Sequence, residues 1–309
     1  MRDLRFDGRT VVVTGAGRGL GRSYAHLLAA RGAHVLVNDV GSSVDGAGRD
    51  SAPALEVAEE ICSAGGSAVA NTADISTADG AEALVAATLA EFGRVDVVIN
   101  NAGIIRWNTF PLADQAEMER HLAVHVVGTF NVSRAAWPVF LERSYGRIVN
   151  TISPAAFGLS SLLSYGASKG GILGLSRALA DHGQPYNIKV NMISPTASTR
   201  MAVMPSASQS GEERTLGELP PERVASVVSY LAHEECPVTG EMYVAAGGGV
   251  ARMFLAQTDG YYQSDLAPED VRANWSRIND VGVYGIPVST LDAAAMFHAS
   301  TDAAGANSR

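Results

Sequence analysis

The chain has 309 residues, 47% hydrophobic and 18% charged, with a formal charge of −9. Such a composition fits a soluble globular protein with an ample core, excludes overall disorder, and supplies no basic block with which to neutralise nucleic-acid phosphates. No run approaches the roughly 18 apolar residues of a membrane span, and the N-terminus reads as a lead-in to a strand and not as a signal peptide. Cys62 and Cys236 fit neither a disulfide framework nor a metal spacing, so a reducing cytoplasm is the expected compartment.

Short β-branched runs alternate with longer segments rich in alanine and leucine, the pattern of an α/β fold whose parallel sheet carries helices on both faces. The pattern predicts strands at 10–14, 34–38, 68–71, 95–99, 147–151, 188–193 and 241–245, seven in one doubly wound sheet. Helices are expected at 20–31, 52–64, 78–92, 114–142, 164–182 and 221–234, the last started by Pro220 and Pro221. Residues 1–250 form one expected domain, and 251–309 an extension packed on it or on a neighbouring subunit.

The first strand runs into TGAGRGLG, where Gly15, Gly19 and Gly21 open a helix at about Leu20. Glycines let the backbone turn tightly and approach a pyrophosphate, and the helix N-terminus offers free N–H groups and a positive dipole end. The strand before, the helix after, and Asp39 at the end of the second strand supply the context that a dinucleotide site needs. An aspartate there accepts from both adenosine ribose hydroxyls and repels a 2′-phosphate, which favours NAD over NADP. Arg18 in the loop is the counter-signal, open to reading as a phosphate partner or as a solvated residue. Residues 41–51 form a glycine- and serine-rich loop, expected to be mobile.

Further along come TADIS with Asp74 and Ile75, then NNAG at 100–103, then VHVVGTF in the long fourth helix. His121 and His125 in that helix stand four apart, without the glutamate or third ligand of a zinc site, and read as helix residues rather than a metal site. Ser153 ends the fifth strand, and LSYGASKGG follows. On a helix Tyr165 and Lys169 share a face, and a held cation can lower a phenol's pKa by roughly one to three units. A packed tyrosine beside a solvated lysine is the plain alternative. As chemistry, hydride transfer to a ketone makes an alkoxide that a positioned acid quenches; Tyr165 can be that acid, with the Ser153 hydroxyl donating to the same oxygen.

Taken together, TGAGRGLG, NNAG, Ser153 and the Tyr165/Lys169 pair resemble the short-chain dehydrogenase/reductase family and its Rossmann-type fold. The resemblance implies that Tyr165 is the general acid/base, that Lys169 lowers its pKa and binds the nicotinamide ribose, and that Ser153 orients the substrate. It also implies cofactor contacts from Gly15, Arg18, Gly19, Leu20, Gly21, Asp39, Asp74 and Ile75, from Asn101, Ala102 and Gly103, and from Thr196 and Thr199. His125 stands where the family usually has an asparagine supporting a water chain to the lysine, and is expected to replace it or to mark a different relay. SPTASTRM departs from the usual PG, with Thr196 for the glycine and Thr199 one position early.

The longer stretches, VNDVG, the 41–51 loop, VHVVGTFNVSRAAWP, SPTASTRM followed by MP, and LAPEDVRANWSRI, resemble the dehydrogenase part of peroxisomal multifunctional enzymes and its bacterial stand-alone relatives. That implies an NAD-linked (3R)-hydroxyacyl-CoA dehydrogenase, active on fatty acyl or steroid side chains, and a homo-oligomer packed through the helices at 114–142 and 164–182. The extension, with Phe254, Tyr261 and Tyr262, is expected to wall the substrate pocket or to pack on a neighbouring subunit. A hydroxysteroid, terpenoid or other secondary-alcohol dehydrogenase, a carrier-protein reductase and a catalytically silent dinucleotide-binding module are the competing readings.

Overall fold

The computed structural model describes residues 3–202 and 219–297. Most of the irregular stretch expected at 200–219, the MP after SPTASTRM and the final AAGANSR lie outside the described residues. The described residues fall into two compact units, divided between Arg252 and Met253.

The first unit alternates strands and helices in chain order: β1 Thr10–Thr14, α1 Gly19–Ala30, β2 His34–Asn38, α2 Ala52–Ser63, β3 Ser67–Asn71, α3 Ala78–Phe92, β4 Val97–Asn100, α4 Gln115–Leu122, α5 Gly128–Arg143, β5 Gly146–Thr151, α6 Leu163–Gly183, β6 Ile188–Thr196, α7 Pro221–Ala232, β7 Met242–Ala246 and β8 Gly249–Met253. The sheet order is β3-β2-β1-β4-β5-β6-β7-β8, with every register from β3 to β7 parallel. The order reverses between β1 and β4, and at such a switch point the loops leaving the two strands diverge and open a crevice.

The valine-rich strands are buried on both faces. One face packs Tyr24, Leu28, Val57, Ile61 and Val228 from α1, α2 and α7, and the other packs Leu84, Val132, Ala136 and Phe140 from α3 and α5. Local caps fix where helices begin: the Thr77 side chain accepts from the Gly80 N–H at α3, and Asp114 from the Glu117 N–H at α4.

Two expectations are corrected, and the 41–51 loop shows contacts that its composition does not announce. The sheet has eight strands, not seven, because Gly247 and Gly248 (φ 56° and 96°) make the two-residue turn that folds β8 back on β7. The helix expected over 114–142 is three pieces: between α4 and α5 a π-helical turn, Ala123–Val127, bonds the Gly128 N–H to Ala123 O five residues back. And the 41–51 loop is held at several points. The Ile105 N–H donates to Val44 O (2.9 Å), Arg106 pairs with Asp45, Arg120 donates to Gly46 O, and Arg49 pairs with Asp74 at 2.7 Å. Charged partners on neighbouring elements, invisible to local composition, fasten a sequence that by itself reads as slack.

In the second unit, 267–278 resolves into α8 Pro268–Ala273 and α9 Trp275–Ile278, and a small antiparallel pair joins β9 Gln257–Thr258 to β10 Tyr284–Gly285. Phe254 stacks on Tyr284 at 6.1 Å and the Arg277 guanidinium lies over Tyr261, so aromatics expected to wall a pocket have partners inside their own unit.

Candidate active site

A cleft of about 700 Å³ opens at the C-terminal ends of β1, β2 and β4, within the roughly 300–1,000 Å³ of small-molecule and cofactor sites. Its lining includes Gly15, Arg18, Gly19 and Leu20 on one side and Asp39, Asp74 and Ile75 at the end. Asn101, Ala102, Gly103 and Thr199 line it as well, so one crevice gathers most of the residues singled out from the sequence. Thr196 ends β6 opposite Ala246 and is not part of that lining.

The glycine turn is held from behind. Thr14 Oγ1 accepts from the N–H groups of Asn101 and Ala102 (3.0 and 3.1 Å), and the Asn101 amide donates to Thr14 O and Gly15 O. Gly15 sits at φ 62°, and a Cβ there would fall 2.8 Å from Ala102 Cα; one on Gly21 would fall 2.2 Å from Gly15 O. Only glycine permits both the left-handed turn and the close packing of α1 on it.

Asp39 accepts from the Gly17 N–H at 2.9 Å and from the Gly41 N–H at 2.7 Å, one on each carboxylate oxygen. A carboxylate has about four lone-pair sites, so ribose hydroxyls can still be accepted while the carboxylate braces the loop. Arg18 donates to Ser42 O and lies 3.9 Å from Asp50, which directs its charge toward the 41–51 loop. Asp74 takes the Ser76 N–H and hydroxyl on one oxygen and Arg49 on the other. Arg49 was missed from the sequence, since its role depends on a loop closing across 25 residues.

These groups suit a dinucleotide: N–H groups at the start of α1 could meet a pyrophosphate, Asp39 could accept from ribose hydroxyls, and the Asn101–Gly103 edge lies near Lys169. A Cβ on Gly103 would come 3.8 Å from Lys169 Nζ. Lys169 is 2% exposed, donates to Thr151 O at 2.8 Å and lies 5.6 Å from the Tyr165 ring centre. Burial pushes its ammonium down to about 7. Burial also pushes the Tyr165 phenol up from its ordinary value, against a weaker opposing pull from a hydrogen bond with Ser153. Desolvation acts on both partners of the pair and disfavours the charged form of each.

Ser153 also caps the short helical turn after β5, its oxygen accepting from the Ala155 N–H at 3.2 Å. Val44 of the 41–51 loop packs in one apolar cluster with Ile105, Trp107, Ala155, Leu162, Tyr165 and Met201, so that loop reaches the cluster around Tyr165. Beneath the site a buried polar chain ties α5 and α6 to the sheet: Asn100 donates to Ser133 and Asn150, and Asn150 to Ser176. His125 is fully buried behind Tyr165, with both ring nitrogens hydrogen-bonded.

A doubly wound sheet with a glycine turn at its switch point, and with serine, tyrosine and lysine side chains gathered beyond the crevice, defines a dinucleotide-binding oxidoreductase. The short chain dehydrogenase family profile matches residues 9–209. The chain is 44% identical over 277 residues to a short-chain type dehydrogenase/reductase of Mycobacterium tuberculosis, covering 88% of this chain and 94% of that one. It is 41% identical over 284 residues to the mouse peroxisomal multifunctional enzyme type 2, covering 90% of this chain and 37% of that enzyme. The structure of the full-length Drosophila melanogaster enzyme of the same name superposes with a TM-score of 0.77 at 30% identity, over 97% of this chain and 51% of that one. The chain belongs to the short-chain dehydrogenase/reductase family. It spans about a third to a half of those multifunctional relatives. Among the described residues no helix is long and apolar enough to cross a membrane, and no cluster of side chains could hold a metal ion.

Proposed function

We propose that the chain is an NAD-dependent dehydrogenase that interconverts a secondary alcohol and its ketone, with a (3R)-hydroxyacyl-CoA thioester as the favoured substrate. The observation that carries the redox reading is that Lys169 Nζ lies 3.8 Å from where a Cβ on Gly103 would sit, and Gly103 lines the same cleft as Asp39, while the Tyr165 ring centre stands 5.6 Å from Lys169 Nζ and Tyr165 hydrogen-bonds Ser153. Bound there, the nicotinamide would accept or return the hydride. Tyr165 takes the alcohol's proton in oxidation and returns it in reduction, Ser153 donates a hydrogen bond to the substrate oxygen, and Lys169, anchored on Thr151 O, holds the nicotinamide end of the cleft. The likeness to multifunctional enzymes across nearly the whole chain supports the acyl-CoA reading.

The test is a spectrophotometric screen of NAD reduction with hydroxyacyl-CoA esters of graded length, free alcohols and hydroxysteroids. The expected result is kcat/KM highest for the CoA esters and rising with acyl length. Turnover of alcohols and steroids alone would overturn the acyl-CoA reading, and NADH binding without any turnover would overturn the enzyme reading.

Asp39 carries the choice of NAD. Asp39→Ala should narrow the preference for NAD over NADP by removing the repulsion of a 2′-phosphate; it also removes two hydrogen bonds to loop amides, so KM should rise for both cofactors. Equal kcat/KM for the two cofactors in the unaltered protein would show that Arg18 or another cation outweighs the aspartate. A cytoplasmic homo-oligomer is part of the same proposal.

A further inference from the structure

Every hydrogen-bonding atom of the His125 ring can be given a direction. Nε2 lies 2.9 Å from the Ile104 amide nitrogen, and an amide N–H only donates, so Nε2 is the accepting nitrogen. Nδ1 therefore holds the proton, 2.7 Å from Ser168 Oγ. That hydroxyl lies 2.8 Å from the Tyr165 carbonyl oxygen, which only accepts, so Ser168 donates to Tyr165 and receives from His125. One directed chain results, from the Ile104 N–H through His125 and Ser168 to the backbone of Tyr165.

We propose that His125 and Ser168 form a pin that holds Tyr165 against the Gly103–Ile104 wall of the cofactor cleft, and that His125 carries no catalytic proton. The proposal rests on the dehydrogenase reading of the same site. Three features of the fold serve it. The π turn at Ala123–Val127 lies in the helix at the ring's own position. Gly103 allows the ring's approach, since a Cβ there would fall 3.0 Å from His125 Nε2. The His125 ring also stands edge to face with the Tyr165 ring, centres 5.4 Å apart, so the pin braces the phenol as well as the backbone beneath it.

Protonating His125 would set a donor, Nε2–H, against the Ile104 N–H and cost that hydrogen bond. The groups facing it do not favour the charge: Lys169 and Tyr165 from α6, and His121 from α4, whose Nδ1–H donates to Glu117 O. Burial and the nearby Lys169 push the imidazole well below its ordinary value, in keeping with a ring that stays neutral while the enzyme works. Ser168, one residue before Lys169, passed unnoticed in the sequence because a small polar residue on a helix is usually unremarkable. Only the fold brings His125, 43 residues away in sequence, to its hydroxyl.

Three variants of the full chain test the pin. Ser168→Ala breaks two links; His125→Gln can keep the Ile104 link but not the Ser168 link; His125→Asn can keep a donor to Ser168. With the best substrate of the wild-type protein, kcat should fall about tenfold to a hundredfold in Ser168→Ala and His125→Gln, the loss expected of a small misplacement of a reacting group. NADH affinity and the apparent pKa of the kcat profile should stay where they are. The double variant should be no worse than the worse single one, because both cut the same chain, and His125→Asn should lose less than His125→Gln. In protein labelled with 15N at histidine, the His125 ring should remain the neutral Nδ1–H tautomer between about pH 5 and 9, where a free imidazole would titrate. Losses that multiply in the double variant, an apparent pKa displaced only in the His125 variants, or a titrating ring would overturn the pin. The spectroscopic arm needs no turnover, so a wild-type protein inactive on every substrate would count against the dehydrogenase reading while the ring's tautomer still decides the pin.

Discussion

Tyr165→Phe should remove turnover by about a thousandfold or more, roughly 4 kcal/mol of barrier, while NADH still binds. The substitution deletes one oxygen and leaves the ring that packs against His121 and His125. Binding and fold should survive, and only the proton transfer should be lost. The direction of the phenol's pKa adds a second expectation. Because burial raises it, Tyr165 is protonated at neutral pH when only protein groups act on it. Ketone reduction, which needs the phenol, should then hold steady from neutral pH and fall only in the alkaline range. Alcohol oxidation, which needs the phenolate, should climb with pH over that same range. Retention of even a tenth of the wild-type rate by the phenylalanine variant, measured by stopped-flow or steady-state NADH absorbance, would remove Tyr165 from the acid/base role.

Lys169→Met should lower turnover at least about a hundredfold, or nearly 3 kcal/mol, and yet stabilise the cofactor-free protein near pH 6. The lysine is buried, and its folded-state value of about 7 lies below its ordinary 10.5. Between those two values the unfolded chain binds the extra proton and the folded chain does not, so stability rises with pH across that window. Below it, the folded chain must keep a buried charge and the cost is felt in full. Methionine has similar length and no charge, so the melting temperature should rise by a few degrees near pH 6 and by less near pH 10, as differential scanning calorimetry would read. A variant that melts below the wild type at pH 6 would show that the bond to Thr151 O outweighs desolvation. The expected pairing of lost activity with gained stability is the usual signature of a strained functional group.

The sequence by itself determined the fold class and the order of its parts. Strands such as TVVVT and HVLVN are short, β-branched and doubly buried, and the helices between them carry their apolar residues at helical spacing, so local chemistry and final structure agree. The glycine turn was equally legible, since positive φ at Gly15 and Gly19 favours glycine and the tight packing at Gly15 and Gly21 leaves no room for a Cβ. Tyr165 and Lys169 were legible as a pair because i and i+4 on one helix need no tertiary information. Tertiary structure alone decided their electrostatics. Burial acts on each ionisable group according to what surrounds it, which spacing along one helix cannot show, and it raises the phenol and lowers the ammonium. Tertiary structure also decided the hold on the 41–51 loop through Arg49, Arg106 and Arg120, the π turn in the long helix, and the link from His125 to Ser168. The loop contacts and the His125–Ser168 link join residues distant in sequence, and hydrogen bonds are short-ranged and directional. Which donor meets which acceptor is fixed only once the sheet has brought its loops to a common edge.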